Sequence, residues 1–258
     1  MKPFFSIITA TLNSEKFLRD NIESVKKQTF QDFEHIFIDG FSNDGTFEII
    51  KEYQQEMGES KVKIFQYSPK GITDAFNKGI QHSEGVYLFF LNSDDYFYNE
   101  TVLEIVYKFL SKNDDYDWIY GKVNVVKNNV SLGIWPRKTI WHQNYKTLIG
   151  KWLLNVYNFI PHQAVFIKKD VFENFGYFDL NLRLAQDMEY WLRIKDKTKW
   201  TFFDIVVSNY RVEENANSVK NKDEYIKEER IMRRKYLNKF EFFIYKLVKF
   251  LASFYRKY

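Results

Sequence analysis

Through the first hundred residues, short apolar runs alternate with segments whose apolar residues recur every three or four positions, the signatures of strand and helix in turn. Residues 4–9 form a strand pattern, and Ser14 stands where it would N-cap a helix with Phe17, Leu18, Ile22 and Val25 on one face. Residues 33–39 read as a second strand, followed by a turn of Gly, Ser, Asn and Asp and then a helix over 46–56 with Phe47, Ile50 and Tyr53 inward. A third strand over 62–66 and a helix over 72–83 lead to residues 86–91, a continuous apolar run and hence a buried fourth strand. The alternation predicts a doubly wound α/β fold with a mostly parallel sheet.

Further on, the spacing predicts a helix over 101–110, strands over 118–120, 123–130 and 164–167, and short helices over 169–175 and 187–195. No repeat, low-complexity tract or Pro/Gly-rich linker interrupts the chain, and 258 residues suit one large domain. The expected division is a catalytic domain over residues 1–220 and a basic, aromatic-rich helical extension over 221–258.

Charge supports that division. Residues 220–258 carry 12 Lys and Arg against 5 Asp and Glu, so within a net charge of +4 the body is mildly acidic and the tail basic. The chain has no cysteine, which excludes disulfides, thiolate catalysis and cysteine-ligated zinc, and fits a cytoplasmic location. The short apolar stretch near the N-terminus breaks at Asn13 without a small-residue cleavage site, so it reads as a first strand and not a signal peptide.

In an open α/β sheet, ligands bind beyond the C-terminal ends of the strands. Polar clusters fall there repeatedly: Ala10-Thr11-Leu12-Asn13 after strand one, Asp39 to Thr46 after strand two, and Asn92-Ser93-Asp94-Asp95 after strand four. The first of these loops has no glycine, so it is neither a dinucleotide fingerprint nor a Walker loop. The adjacent carboxylates Asp94 and Asp95 suit a hard divalent cation, Mg2+ or Mn2+, shared with substrate phosphates.

The runs FSIITATLN, IDGFSNDGT, KGITDAFNKGI, LFFLNSDDYF and RLAQDMEYWLR occur in an order and spacing that resemble glycosyltransferase family 2, the inverting enzymes of GT-A fold. The resemblance covers about residues 4–215, and HQAVF and YGKV are similar to the branch found in O-antigen and capsule assembly. It implies a nucleotide diphosphate sugar as donor, most simply a UDP-sugar. Asp39 would accept a hydrogen bond from the uracil N3–H, with the backbone near Ala10 and Leu12 holding the base. Asp94 and Asp95 would form the DXD-type element, Asp94 nearer the ribose and Asp95 on the metal. Asp187 matches the general base, Asp74 and Lys78 would line the donor pocket, and His162 would touch donor phosphate or acceptor.

Two departures stand out. A tyrosine common after strand one is replaced by Leu12, and the frequent Glu-Asp pair is Gln186-Asp187. The bland readings are an ordinary Asp-Gly turn at Asp39-Gly40, simple helix-end charge at Asp94, Asp95 and Asp187, and a structural histidine at His162. Two other function classes are weighed: a sugar nucleotidyltransferase, which would want a Gly-rich basic loop after strand one, and a catalytically inactive glycan-binding or scaffold subunit.

In the tail, Lys246, Lys249, Ser253 and Arg256 share one helical face, while Phe242, Phe243, Leu247, Phe250, Leu251 and Phe254 fill much of the rest. A basic amphipathic helix of this kind suits the plane of an anionic membrane surface, at the inner face of the plasma membrane, beside a lipid-linked acceptor such as a polyprenyl diphosphate glycan. The competing reading is docking on its own domain or on a second copy of the chain, as a homodimer. No nucleic-acid partner is expected.

Overall fold

The computed structural model describes residues 2–136, 148–212 and 221–255. Strands β1 (Phe5–Thr11), β2 (Phe33–Asp39), β3 (Val62–Gln66) and β4 (Tyr87–Phe90) lie parallel in the order β3-β2-β1-β4. Helices α1 (Glu15–Lys26), α2 (Thr46–Met57) and α3 (Ile72–His82) make the crossovers. The order reverses between β1 and β4, the switch point at which ligands lodge in such sheets. All four residues of β4 are buried, as an apolar run covered on both faces requires.

Helix starts differ from the pattern reading. Ser14 precedes α1 but makes no side-chain cap; the Asp44 carboxylate accepts the Glu15 N–H instead, at 3.2 Å. Phe47 is half-buried, and α2 turns Ile49, Ile50 and Tyr53 inward.

The sheet continues past β4 with antiparallel pairs. Next come β5 (Tyr96–Phe97), α4 (Val102–Leu110), β6 (Trp118–Lys127), β7 (Val130–Trp135) and α5 (Leu148–Leu153). These precede β8 (Val165–Lys168), α6 (Lys169–Phe175), α7 (Gln186–Ile194) and β9 (Trp200–Arg211). β8 pairs antiparallel with β4 and β6, β9 runs parallel to β6, β5 closes the edge on β9, and β7 forms a hairpin with β6. Residues 118–130, expected as two strands, form β6 and the start of β7. The break expected near Gly121 is only a shift of register with β9, at a residue where a Cβ would meet Val207 Cγ2 at 2.7 Å and the Ile205 carbonyl at 2.9 Å.

Successive residues of β1 face opposite cores, Ile8 packing with Phe76, Phe90, Trp118, Tyr190 and Trp191, and Ile7 with Phe89, Phe97, Val106 and Phe166. Helices α8 (Lys222–Tyr236) and α9 (Lys239–Tyr255) end the chain. α8 is part of the body: Met232 joins the first core, and Arg233, fully buried, donates to the backbone carbonyls of Leu154 and Asn155. Part of the segment expected as an extension therefore completes the catalytic body, and the expected boundary near 220 falls among residues outside the described ones. Arg256 also lies outside them, as do the side chains of Leu251, Ser253 and Phe254.

Candidate active site

The loops after β1, β2 and β4 are laced together at the C-terminal edge of the sheet. Asn13 N–H donates to Ser42 Oγ at 2.9 Å, Asn43 N–H to Asn13 Oδ1 at 2.9 Å, and Gly40 N–H to the Thr11 carbonyl at 2.9 Å. Ser14 Oγ and Ser93 Oγ are 2.9 Å apart, tying the first loop to the third across the switch point. Asn13 (φ 53°) and Phe41 (φ 56°) both adopt the left-handed backbone that non-glycine residues rarely take. The result leaves Leu12 51% exposed and Phe41 56% exposed, one on each laced loop, while Ala10 packs half-buried on the first core.

Asp39 ends β2 with its carboxylate wholly buried. Oδ1 accepts from Thr11 Oγ1 (3.0 Å) and Ser42 Oγ (2.6 Å), and Oδ2 from Ser42 N–H (3.1 Å) and Gln66 Nε2 (3.0 Å). Four donors fill the lone-pair sites of one carboxylate. Asp39 thus builds the loop it was expected to use for the base, and a ring N–H would have to take the place of one of those donors. The Gln66 amide, on an exposed side chain of edge strand β3, is the most readily displaced.

The paired aspartates divide sharply. Asp95 is fully buried; Oδ1 accepts the Arg211 N–H at 2.8 Å and Oδ2 the Asn92 side-chain amide at 2.9 Å. Burial, and then the charge of Asp94 beside it, push its carboxyl well above the usual range. Asp95 is closed off by these bonds and braces the loop, whereas Asp94 beside it is half-buried. Sequence reasoning missed Arg211, the last residue of β9. Its guanidinium lies over the Phe17 ring at 4.3 Å and bonds Asp20 at 2.9 Å, while its backbone fixes Asp95. The β-branched and aromatic run of β9 was the available signal.

Asp187 is half-buried in the first turn of α7. Its Oδ1 accepts the Met188 N–H at 2.7 Å, and burial pushes the carboxyl up to about 6 despite that bond. A carboxylate with that value at a helix N-terminus can hold or release a proton near neutral pH. The other expected residues differ. Asp74 and Lys78 pair with each other at 2.7 Å on α3, with the Lys78 ammonium 4.2 Å from the Tyr67 ring. The His162 ring packs against Phe76 and Phe90, at 5.3 and 5.5 Å, with both ring nitrogens buried and without a hydrogen-bond partner among the described residues. Burial pushes it down to about 4, so it is a neutral member of an aromatic cluster and not a cationic phosphate contact.

The sequence model of Glycosyl transferase family 2 matches residues 6–175. The chain belongs to this family. The match takes in the three laced loops and α3, and a family-2 enzyme transfers a glycosyl group. A PGL/p-HBAD biosynthesis glycosyltransferase of Mycobacterium tuberculosis is 29% identical over 213 residues, 81% of this chain and 77% of that protein. A putative teichuronic acid biosynthesis glycosyltransferase, TuaG of Bacillus subtilis, is 33% identical over 94 residues, 36% of this chain and 37% of that protein. Among solved structures, Staphylococcus aureus TarS 1-349 in complex with UDP-GlcNAc superposes with a TM-score of 0.69 at 20% identity, covering 90% of this chain and 65% of that one. The chain spans 39% of the longer TarS structure. The shared architecture is the GT-A fold, with the half from β3 to β4 parallel and the far half mixed.

Among the described residues no three His, Cys, Asp or Glu side chains cluster as a metal cage. A divalent cation held partly by the substrate's own phosphates needs only one or two carboxylates, and Asp94, a hard oxygen donor beside the switch point, fits that smaller demand.

Proposed function

We propose that this family-2 enzyme is an inverting glycosyltransferase that moves a sugar from a UDP-sugar to a hydroxyl of a lipid-linked or oligosaccharide acceptor in bacterial surface polysaccharide assembly. The observation that carries the reading is Asp187, a half-buried carboxylate pushed up to about 6 on a chain of this family whose laced loops would form the nucleotide-binding edge. The base would rest on the exposed apolar surface of Leu12 and Phe41, with its N3–H replacing one donor on Asp39. Asp94 would hold a divalent cation, Mg2+ or Mn2+, whose positive charge offsets that of the departing diphosphate.

Asp187 takes the proton from the acceptor hydroxyl as that oxygen bonds to the anomeric carbon. On the opposite side, the bond from that carbon to the β-phosphate oxygen breaks and its electron pair leaves with UDP. One displacement inverts the centre, and no protein nucleophile is required. The support for polysaccharide chemistry and a uridine donor is the company the chain keeps: TuaG by name, and TarS in its UDP-GlcNAc complex. A lipid-linked acceptor is supported by α9, whose Phe240, Phe243, Leu247 and Phe250 are exposed on the same helix as the exposed Lys239, Lys246 and Lys249. A membrane surface would take that face, at the inner side of the plasma membrane; no helix among the described residues is long and apolar enough to cross a membrane.

A panel of UDP- and GDP-sugars, each with and without Mn2+ or Mg2+, tests the assignment by nucleotide release. Release from a UDP-sugar that depends on added metal, and is lost in Asp94→Asn, is the expected result. Full metal-dependent turnover in Asp94→Asn would remove Asp94 from the metal.

A further inference from the structure

We infer that Glu228 on α8 is a positioning residue for Asp187, acting through the backbone of the loop that carries it; this rests on Asp187 being the general base. The Glu228 carboxylate accepts three consecutive N–H groups, those of Arg183 (2.8 Å), Leu184 (2.9 Å) and Ala185 (3.0 Å). It is 8% exposed, so these bonds are made away from water, where charge-assisted bonds are strong. Ala185 precedes α7, and its side chain cannot cap a helix start. Glu228 provides a carboxylate at that end from a distant part of the chain, favourable also against the helix dipole.

The same loop is held from the opposite side by α3. Thr73 Oγ1 donates to the Leu182 carbonyl at 2.8 Å, and Asn77 both donates to the Phe178 carbonyl (2.9 Å) and accepts the Phe178 N–H (3.0 Å). On α8, one turn beyond Glu228, the Arg233 guanidinium reaches Met188 Sδ at 3.2 Å, adjacent to Asp187. The Asp187 carboxylate accepts the N–H of the next residue of its own helix, and among the described residues no distant side chain is hydrogen-bonded to it. Its direction is inherited from the loop and the first turn of α7. From α8 the loop is held by the three bonds to Glu228 and by Lys235, whose ammonium lies 3.8 Å from the Asp179 carboxylate; a base displaced by about 1 Å loses about 100-fold in rate.

The test uses the full chain and Mn2+, with UDP release from the UDP-sugar that turns over in the donor panel and water as acceptor. Glu228→Ala is expected to lower kcat by about 10- to 100-fold while donor KM changes less than about twofold. Glu228→Gln, which keeps one acceptor oxygen, should lose less. In an Asp187→Asn background, Glu228→Ala should lower kcat no further, because the group it positions is gone. Losses that multiply in the double variant, a loss carried by KM, or an unchanged kcat in Glu228→Ala would each overturn the inference. Where Glu228→Ala does not fold, as its melting curve would report, the Glu228→Gln cycle with Asp187→Asn gives the same comparison. If Asp187→Asn alone leaves turnover unchanged, the base assignment falls and this inference falls with it.

Discussion

Asp187 shows how one residue can trade stability for chemistry. Burial holds its carboxyl at about 6, above the value it has in an unfolded chain. The folded protein therefore binds the proton more tightly, and stability declines as pH rises from about 4 to about 6. Above pH 6 the ionised side chain costs the fold on the order of 1–3 kcal/mol. We predict that Asp187→Asn is more stable than the unmodified protein at pH 7.5 and equal to it below pH 4, as read by denaturant unfolding at both pH values. Its turnover should fall by about two to four orders of magnitude, while donor affinity by calorimetry stays near normal. Turnover in the unmodified protein should rise with pH through about 6. A collapse of donor affinity in Asp187→Asn would make the residue a binding group.

At the scale of elements, the approach of α3 to the sheet sets where its polar side chains reach the Asp187 loop. Gly79 makes that approach close: a Cβ there would stand 2.3 Å from Ile8 Cγ2. Gly79→Ala should push α3 off β1 and destabilise the protein by about 1–3 kcal/mol, with lower turnover because Thr73 and Asn77 move with the helix. An unchanged melting temperature would show that α3 and β1 have slack between them. The elements of the parallel half were legible because each reads as one clear period, as in the run Tyr87–Phe90. β9 was not, because Thr201, Ser208, Asn209 and Arg211 are buried polar residues that break its pattern. Their burial depends on partners from elsewhere: Ser208 donates to the Gln163 carbonyl, and Asn209 to that of Phe97. The docking of α8 on the body was hidden for the same reason, since its buried side is charged: Glu228, Glu229 and Arg233 look solvated until their partners are known.

Across the whole molecule, the two faces of α9 serve different neighbours. Tyr245 is buried against the Arg233 guanidinium, Glu241 accepts from Asn155, and Lys249 bonds Glu229, so one side docks on the body. The other side leaves Phe240, Phe243, Leu247 and Phe250 exposed. Truncation would uncover Arg233 as well as remove the apolar stripe, so substitution is the cleaner probe. Replacing Phe243, Leu247 and Phe250 by serine should abolish salt-sensitive flotation with vesicles containing anionic lipid and leave metal-dependent UDP release intact. Vesicle binding that survives the three changes would refute the membrane face, and a change in oligomeric mass would point to a second copy as its partner.

The sequence by itself determined the parallel half, the three loops at its edge and the identities of Asp39, Asp94, Asp95 and Asp187, because period and strand-end position are local properties. It also placed charge and aromatics in the tail. Only the tertiary structure decided which aspartate of the pair is open, since Asp94 and Asp95 are chemically alike and differ only in what surrounds them: Arg211 N–H and the Asn92 amide close around one. Likewise it paired Asp74 with Lys78, set His162 in an aromatic cluster, and brought Glu228 to the loop before Asp187. Desolvation and hydrogen-bond partnership arise between residues far apart in the chain, and no local pattern encodes them.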